Sequence, residues 1–418
     1  MAEACEAILR DVAPLDAETV PLRQALGRVL AEDVRSPLAL PPWDNASMDG
    51  YAVRSADLPS ASASNPVVLQ VVGTVAAGSP TVRVLGAGEA MRIMTGAPVP
   101  AGADSVIRVE DTDAGTDSVH ILDDRDVLRN IRPRGEDVGK GDLAVASGTE
   151  LHPGHVGLLA SVGRAELRVY RRPRVAVLAS GDELVDVEQF DEVLSADGGA
   201  ASGKIVTSNS YSLEAAVRQA GAEPLSLGFV GDDPVALRDR LTSCECDLLL
   251  TTGGVSVGEF DFTRSVLAEL GATHRFWRVR IRPGAPVGFG LLRGTPWLGL
   301  PGNPVSTLVT FELFGRPAIR KMMGHSLFFR RSVRVRLAEP VTIAAPLTHF
   351  LRAELMPQGN ELIAKLTGPQ GSGLLSSMAR ANALLIVPPE RARIEAGELV
   401  DALVLRDDVQ HADTAPVS

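Results

Sequence analysis

The spacing of apolar and polar residues divides the chain into four regions with different predicted structure. From residue 173 onward, short apolar runs alternate with amphipathic segments that begin with helix-capping residues. One example is "CDLLLTTGG", which predicts a buried strand, followed by "DFTRSVLAELGA", which predicts a helix. This alternation is typical of βαβ units. We therefore expect a doubly wound α/β domain over residues 173–326, with a mostly parallel sheet and helices on both faces.

Two other regions have the pattern of short strands. Between residues 45 and 146, brief β-like runs are separated by many turn residues, and residues 327–405 repeat this pattern. The first region predicts a β-rich inserted domain and the second a C-terminal β-barrel domain. Residues 1–44 and 147–172 carry helical spacing, so we expect a helical linker domain there. The chain as a whole is predicted to be a multidomain α/β protein.

Within the linker domain the pattern predicts three helices. Residues 4–33 predict two, with a break near Pro14 and the second in "PLRQALGRVLAED", and residues 153–164 predict the third. We interpret "HPGH" before the third helix as a helix start rather than a metal site. The loop at 186–203, acidic and then rich in Ala, Gly and Ser, predicts mobility, and residues 406–418 predict a disordered tail.

Composition and charge exclude several functions. The 418 residues are 45% hydrophobic and 22% charged, as in ordinary globular proteins, and the net charge of −11 argues against nucleic acid or an anionic membrane as a partner. No apolar run reaches the roughly 20 residues that cross a bilayer, and the N-terminus lacks a signal-peptide pattern, so we expect the cytoplasm.

The cysteines argue against a disulfide framework, since there are only three. Cys244 and Cys246 could supply half of a metal site. A structural zinc site usually has four ligands, however, and no second pair is present in the sequence.

Three predicted strand ends carry unusual loops, namely "ASGDEL", "TTGGVSVGEFDFT" and "LPGNPVS". In parallel sheets ligands bind beyond the carboxyl ends of the strands, and glycine turns before helices favour phosphate and other oxyanions. Each loop alone is better explained as a tight turn with a helix cap, but three at one sheet edge predict a pocket. The glycine spacing supports neither a P-loop nor a dinucleotide site.

A basic segment, "HRFWRVRIRPG", is predicted to be a strand that runs into a Pro-Gly turn. It would place Arg278, Arg280 and Arg282 on one face, with Trp277, Val279 and Ile281 on the other. Three adjacent cations repel each other unless solvent or an anion neutralises them. The segment is therefore either part of an anion site or an edge strand protected by its charge.

Five carboxylates fall in loops beside glycine or a helix start: Asp49, Asp137, Glu183, Asp232 and Asp261. The simplest interpretation makes Asp232 a helix cap and Asp137 a turn residue. Carboxylates beside phosphate sites also often hold Mg²⁺, which bridges to phosphate oxygens. No pair has a spacing that identifies a general acid and base.

Eight motifs in order resemble a known family: "DNASMDGYAV", "RIMTGAPVPAGADSVIRVED", "RGEDV", "SGDEL", "TTGGVSVGEFDFT", "RPGAPVGFG", "LPGNPVS" and "QGSGLLSSMARANAL". Together they resemble the MoeA family of molybdopterin molybdenumtransferases, which is similar to the E domain of gephyrin. The resemblance covers nearly the whole chain. It implies four domains and a homodimer in which adenylylated molybdopterin and molybdate react with Mg²⁺, or Zn²⁺, to give molybdenum cofactor and AMP. The "DNASMDGYAV" loop would offer Asp49 to the partner subunit's pocket.

The resemblance also implies a set of site residues. The residues implied in catalysis are Asp49, Thr95, Asp137, Glu183, Asp232, Asp261, Arg278 and Arg282, with Asp232 and Asp261 as metal ligands. Those implied in binding the cofactor or molybdate are Gly253, Gly254, Ser256, Pro301, Gly302, Asn303, Pro304, Ser306, Arg352 and Ser372.

Four positions depart from the family pattern. Arg278 and Arg282 stand where the family usually has lysine, which keeps the charge but gives a planar group with fixed directions. Ala285 stands where the family usually has lysine, which neighbouring Arg280 would compensate, and Thr207 stands where it often has aspartate. The departures leave open a tungstate-using variant and a non-catalytic molybdopterin-binding or scaffold protein. A further alternative is an unrelated sugar- or nucleotide-phosphate enzyme, which would share only the α/β fold with the MoeA family. Molybdopterin adenylyltransferase and molybdoenzyme maturation proteins are the implied partners.

Overall fold

The computed structural model describes residues 1–78, 83–191, 203–253, 262–343 and 346–406. The chain forms two compact units. The larger unit consists of Met1–Glu18, Gly27–Val29 and Val169–Ser418, and the smaller unit consists of Thr19–Leu26 and Leu30–Arg168.

Eight α-helices are present in the described residues: α1 Ala2–Asp11, α2 Pro153–Ser161, α3 Ser208–Gln219, α4 Pro234–Thr242, α5 Phe262–Glu269, α6 Pro304–Thr310, α7 Arg316–Met322 and α8 Leu375–Arg380. The strands of the first half are β1 Ala17–Pro21, β2 Val34–Arg35, β3 Asn45–Ala46, β4 Gly50–Val53, β5 Ser62–Val75, β6 Glu89–Ile93, β7 Ser105–Arg108, β8 Ser118–Asp123, β9 Ile131–Arg132, β10 Leu143–Val145 and β11 Glu166–Tyr170. Those of the second half are β12 Arg174–Ser180, β13 Leu184–Val185, β14 Ile205–Val206, β15 Glu223–Val230, β16 Leu248–Thr252, β17 Thr273–Phe276, β18 Ile281–Arg282, β19 Gly288–Leu292, β20 Thr295–Leu300, β21 Ser332–Leu337, β22 Val341–Thr342, β23 Thr348–Gln358, β24 Glu361–Leu366, β25 Ala383–Val387, β26 Arg393–Ile394 and β27 Leu399–Val404.

The larger unit is built on a six-stranded sheet in the order β15-β12-β16-β20-β19-β17. The first four strands are parallel, and β19 and β17 add an antiparallel edge. Every residue of the central strand β16 is buried, because helices cover both faces of the sheet. Leu250 packs on the side of α1, α3, α6 and α7, and Leu249 on the side of α4 and α5. The predicted doubly wound domain is confirmed.

The larger unit also contains a closed barrel. Its strands follow the order β23-β24-β21-β27-β25, and β25 pairs back onto β23. Alternate residues of these strands, such as Leu351, Ala353 and Leu355 of β23, fill the barrel interior. The predicted C-terminal barrel is therefore confirmed.

The smaller unit contains a five-stranded sheet in the order β7-β4-β6-β5-β8. All four residues of the interior strand β4 are buried, with Tyr51 and Val53 in one apolar cluster and Ala52 in another. The sheet is therefore covered on both faces. The unit's helix α2 begins as predicted, because the Nδ1 atom of His152 accepts the main-chain N–H of Gly154 at 3.1 Å.

The second helix predicted in the first 33 residues is wrong. The segment instead forms β1, a short 3₁₀ turn at Leu22–Gln24 and extended chain. Gly27 has φ of +72°, and the N–H of Leu30 bonds to the carbonyl of Thr149 rather than to a helical partner. Long-range pairing thus overrides the helical spacing.

The continuous strand predicted around Arg278–Arg282 is also wrong. It is divided into β17, which belongs to the α/β sheet, and β18, which adds in parallel to β23 of the barrel. Between them the N–H of Ile281 turns back to the carbonyl of Val279 at 2.9 Å. The predicted alternation of exposed arginines with buried Val279 and Ile281 is nevertheless present. Most of the loop at 186–203 and nearly all of the predicted tail lie outside the described residues.

Candidate functional site

A cavity of about 660 Å³ lies in the larger unit, at the carboxyl ends of the parallel strands. The loops after β12, β15, β16 and β20 meet there, together with the start of α3. Of the predicted site residues, those that line the cavity are Glu183, Asp232, Gly253, Pro301, Gly302, Asn303 and Pro304.

Glycine allows the loops to approach each other this closely. Gly253 has φ of +87°, and a Cβ atom there would lie 2.3 Å from the carbonyl oxygen of Ser180. A Cβ atom on Gly181 would lie 2.4 Å from a carboxylate oxygen of Glu183. At Gly253 only glycine satisfies both the conformation and the spacing, because the close atom is main chain, whereas at Gly181 the positive φ of +152° is the requirement. Both glycines line the floor of the cavity.

Two carboxylates, those of Glu183 and Asp232, line the cavity, and Asp182 supports the loop that carries Asp232. The Oδ1 atom of Asp182 accepts the main-chain N–H of Asp232 at 2.8 Å. Burial raises the pKa of Asp232, and the negative charges of Asp182 and Glu183 raise it further. This edge therefore concentrates negative charge, which a cation would stabilise.

The interpretation of Asp232 as a helix cap is wrong. The cap of α4 is the next residue, Asp233, whose Oδ1 atom accepts the N–H of Val235 at 2.8 Å. Asp232 is thus left facing the cavity.

Main-chain N–H groups at the start of α3 give the cavity a region of positive partial charge, in contrast to the carboxylates. The 12-residue helix α3 begins at the cavity, and its N-cap residue Thr207 makes no side-chain capping bond. The Thr207 hydroxyl instead lies 2.9 Å from that of Ser210. Free N–H groups at the start of a helix favour an anion. Asn209 was missed from the sequence, although a polar start of a helix after a short strand was a usable signal. Thr207 was noted only as a departure from the family pattern.

Several predicted residues stand behind the cavity wall. Arg352 is fully buried, and its guanidinium donates to the carbonyls of Gln370 and Gly371 at 3.1 and 2.8 Å. Burial lowers the pKa of Arg352. The carbonyl of Ser372 accepts the N–H of Val305 at 3.1 Å. Arg352 and Ser372 therefore anchor the loop that carries Gly373 into the cavity, and Ser306 is buried in α6.

The arginine row is exposed and does not line this cavity. Arg278 and Arg282 project to solvent, and Arg280 donates to the carbonyl of Pro346 at 3.3 Å. Gly254, Ser256 and Asp261 lie outside the described residues.

In the smaller unit the structure brings together Asp49 and Thr95. The Oδ1 atom of Asp49 accepts both the N–H and the hydroxyl of Thr95, at 2.6 and 2.7 Å. These bonds lower the pKa of Asp49, the main-chain bond most strongly. Asp137 is exposed in a turn whose N–H donates to the carbonyl of Leu40 at 3.0 Å.

The cysteines carry free thiols, as expected. Burial raises the pKa of Cys246 to about 12, so this thiol is protonated at neutral pH and packs against the core. Within the described ranges, no three His, Cys, Asp or Glu side chains form a group that could hold a metal ion. The helices in those ranges are all too short or too polar to cross a membrane.

Fold and cavity together define a multidomain α/β protein built around a doubly wound sheet, with a polar cavity at the edge of that sheet. Three family models match the chain: the MoeA N-terminal region (domain I and II) over residues 1–163, the probable molybdopterin binding domain over 176–321, and the MoeA C-terminal region (domain IV) over 334–405.

Known proteins match over nearly the whole length. Molybdopterin molybdenumtransferase 2 of Mycobacterium tuberculosis is 41% identical over 387 residues, which are 91% of this chain and 93% of that protein. A molybdopterin molybdenumtransferase of Nostoc sp. is 37% identical over 398 residues, covering 94% of this chain and 89% of the relative. The crystal structure of the molybdopterin biosynthesis MoeA protein from Pyrococcus horikoshii matches with a TM-score of 0.83 at 32% identity, covering 96% of this chain and 98% of the other. The chain belongs to the MoeA family.

Family membership confirms the resemblance predicted from the eight motifs. It also confirms the predicted fold class, which combines a doubly wound molybdopterin-binding α/β domain with a β-rich inserted domain, a helical linker domain and a C-terminal β-barrel. The relatives carry the name of the transferase activity that the motifs predicted.

Proposed function

We propose that this chain inserts molybdate into adenylylated molybdopterin and releases AMP, which completes the molybdenum cofactor. The observation that carries the proposal is the cavity of about 660 Å³ at the edge of the parallel sheet, where N–H groups and carboxylates face the same space. Membership in the MoeA family sets the reaction class.

The physical task is to bring two anions together. Two unit charges 4 Å apart repel by about 1 kcal/mol in bulk water, and by several times more near a protein surface. The start of α3 and the Pro301–Asn303 turn offer N–H groups to oxyanions, which reduces this repulsion. Arg278 and Arg282 lie outside this cavity, so their proposed role, neutralising the charge that develops on phosphate as AMP leaves, requires the bound substrate to extend beyond the cavity wall. No covalent nucleophile is required.

The carboxylates fit Mg²⁺ better than Zn²⁺. The described cavity wall contains oxygen donors but neither histidine nor cysteine. Mg²⁺ commonly uses one or two carboxylates together with substrate phosphates, so a complete protein cage is not needed. Asp232 and Asp261 would hold the ion, and Glu183 would orient water. When bound, Mg²⁺ would neutralise the phosphate oxygens during AMP release.

The charge on Asp232 supports this assignment. Its pKa is raised, in part because Asp182 and Glu183 are negative. A cation at this position would relieve the repulsion among the three groups. The remaining predicted ligand, Asp261, lies outside the described residues.

We further propose a homodimer in which Asp49, held by Thr95, reaches the cavity of the second subunit. The four domains would be residues 1–44 with 147–172, 45–146, 173–326 and 327–405. The protein would act in the cytoplasm, between a molybdopterin adenylyltransferase and the proteins that mature molybdoenzymes.

An AMP-release assay with adenylylated molybdopterin, molybdate and Mg²⁺ tests the reaction. We expect about one AMP per cofactor formed, and a strong loss of turnover in Asp261→Ala and in Arg282→Ala. Wild-type turnover in both variants would refute the site assignment.

Subunit mixing tests the shared site. Asp49→Asn and Asp232→Asn are each expected to be inactive. If subunits exchange freely, an equal mixture contains half mixed dimers with one intact site each, so about a quarter of the wild-type activity should return. No recovery after proven subunit exchange would place both residues in a site within one subunit.

Ala285 favours a second candidate function. No cation stands at this position, and its carbonyl instead accepts the N–H groups of Val279 and Val287, both at 3.0 Å. A non-catalytic molybdopterin-binding protein or a tungstate-using variant would tolerate this loss. Tight substrate binding without AMP release would support the first, and faster turnover with tungstate than with molybdate would support the second.

A further inference from the structure

Asn209, in the first turn of α3, connects three of the loops that form the cavity. Its Nδ2 atom donates to the hydroxyl of Thr252 at 2.9 Å and to the carbonyl of Gly302 at 2.7 Å. One amide group thus joins the start of α3, the end of β16 and the turn after β20.

The directions of these hydrogen bonds are fixed. The Thr252 hydroxyl donates its single hydrogen to the carbonyl of Pro301 at 2.9 Å, so it must accept from Asn209. Rotating the amide by 180° would place two acceptors against each other at Gly302. The Oδ1 atom of Asn209 is buried and has no hydrogen-bond partner in the part of the chain that the structure describes. A buried acceptor without a partner is unfavourable, which indicates that the contribution of this side chain comes from its two donors.

The network fixes two successive peptide planes. The carbonyl of Pro301 accepts from Thr252 and, at 2.5 Å, from the hydroxyl of Thr307, while the carbonyl of Gly302 accepts from Asn209. In a trans peptide the N–H points opposite to the carbonyl. The N–H groups of Gly302 and Asn303 are therefore turned away from the network, and neither donates to a described residue.

We propose that Asn209 is a positioning residue that orients the N–H groups of Gly302 and Asn303 toward an oxyanion in the cavity. Two adjacent N–H groups held in one direction form a compact site for phosphate or for a tetrahedral oxometalate. The inference rests on the proposed function, because that function supplies the oxyanion. Asn209 itself need not touch the ligand.

Two substitutions break the network without changing side-chain size. Asn209→Asp replaces both donors by an acceptor but also adds a negative charge to the cavity wall. Thr252→Val adds no charge and removes the hydroxyl that bridges Asn209 to Pro301, so it is the deciding variant. Thr252→Ser retains that hydroxyl and is the conservative rescue. Thr310→Val is the matched control, because the Thr310 hydroxyl bonds only within its own helical segment, to the carbonyls of Ser306 and Thr307.

The experiment is calorimetric titration of AMP, and separately of molybdate, into the full chain, with a thermal melt of each variant. We expect at least tenfold weaker binding of one or both anions in Asn209→Asp and about threefold to tenfold weaker binding in Thr252→Val. Thr252→Ser and Thr310→Val should bind within twofold of wild type. A general loss of structure would instead lower the melting temperature and the affinity together in all variants, Thr310→Val included.

Three results would overturn the inference. Asn209→Asp could bind both anions as tightly as wild type, Thr252→Ser could lose as much affinity as Thr252→Val, or Thr310→Val could weaken binding as much as Asn209→Asp. The proposed function would stand in each of these cases. A wild-type chain that binds neither anion would overturn both proposals.

Discussion

Asp49 in the smaller unit and Asp232 in the larger unit are both loop aspartates, yet their surroundings shift their pKa values in opposite directions. Asp49 accepts two hydrogen bonds from Thr95, and its pKa is lowered. Asp232 is partly desolvated beside two other carboxylates, and its pKa is raised.

The difference separates two ways of using a carboxylate. Donors around Asp49 stabilise the ionised group, so it is ready to act as a fixed negative charge. The surroundings of Asp232 instead disfavour ionisation until a positive charge arrives. We therefore expect Asp232 to respond to a bound cation and Asp49 to be largely indifferent to one.

The largest expected effect is on turnover. Asp232→Asn should reduce AMP release about a hundredfold, which corresponds to about 2.7 kcal/mol of activation free energy. Its neighbour provides the control: Asp233→Ala should remove the cap of α4 and cost about 1 kcal/mol of folding stability, while turnover stays within twofold. Equal loss of turnover in both variants would show that AMP release depends on the conformation of the loop rather than on the Asp232 carboxylate.

Glycine substitutions compare the two regions at the level of the backbone. Gly253 and Gly96 have similar φ values of +87° and +81°, but an added Cβ meets the Ser180 carbonyl at 2.3 Å in the first case and nothing within 4 Å in the second. Gly96→Ala should cost about 1–2 kcal/mol, and Gly253→Ala clearly more. Urea denaturation measures both, and a larger loss at Gly96 would contradict the account of the cavity floor.

Thr95→Val should raise the pKa of Asp49, because it removes the hydroxyl donor and leaves the main-chain donor in place. The carboxyl carbon shift of Asp49, followed by NMR through an acid titration, reports this change. The pKa of Asp232 should not move. An unchanged Asp49 titration would mean that the hydroxyl bond is absent in solution.

The smallest expected effect is on the pH dependence of stability in metal-free protein. A lowered carboxyl pKa stabilises the fold above the unfolded value near 3.8, and this stabilisation is lost as the pH falls through the folded value. A raised pKa acts oppositely, so the contribution of Asp232 becomes unfavourable as the pH rises from 3.8 through its folded value.

Two variants should therefore separate at neutral pH. Asp49→Asn should unfold at slightly lower urea concentration than wild type, and Asp232→Asn at slightly higher. Both differences should disappear in acid, below the two folded pKa values. The reverse order at neutral pH would contradict the assigned directions.

The sequence predicted best where structure is set locally. The strands and helices of the α/β domain follow from apolar runs and capping residues, and the glycine turns at the strand ends located the cavity. The predictions were wrong where pairing with residues far away in the sequence determines the local structure. The Leu22–Asp33 segment pairs with chain more than 100 residues away, and the arginine strand is divided because β18 joins the barrel.

The candidate site shows the same limit. Asp232 and Asp233 are adjacent, and only the position of the neighbouring loop determines which one caps α4 and which faces the cavity. Asn209 looked like an ordinary helix-start residue, because its two partners, Thr252 and Gly302, come from other strand ends.

The pairing of β18 with β23 has a consequence for protein engineering. Ile281 and Arg282 lie opposite Thr348 and His349, so the barrel sheet includes two residues that precede all five barrel strands in the order of the chain. A chimera that exchanged only residues after 326 would keep the host's β18 against a foreign barrel strand. A chimera within this family should therefore take the 278–284 segment and the barrel from the same parent protein.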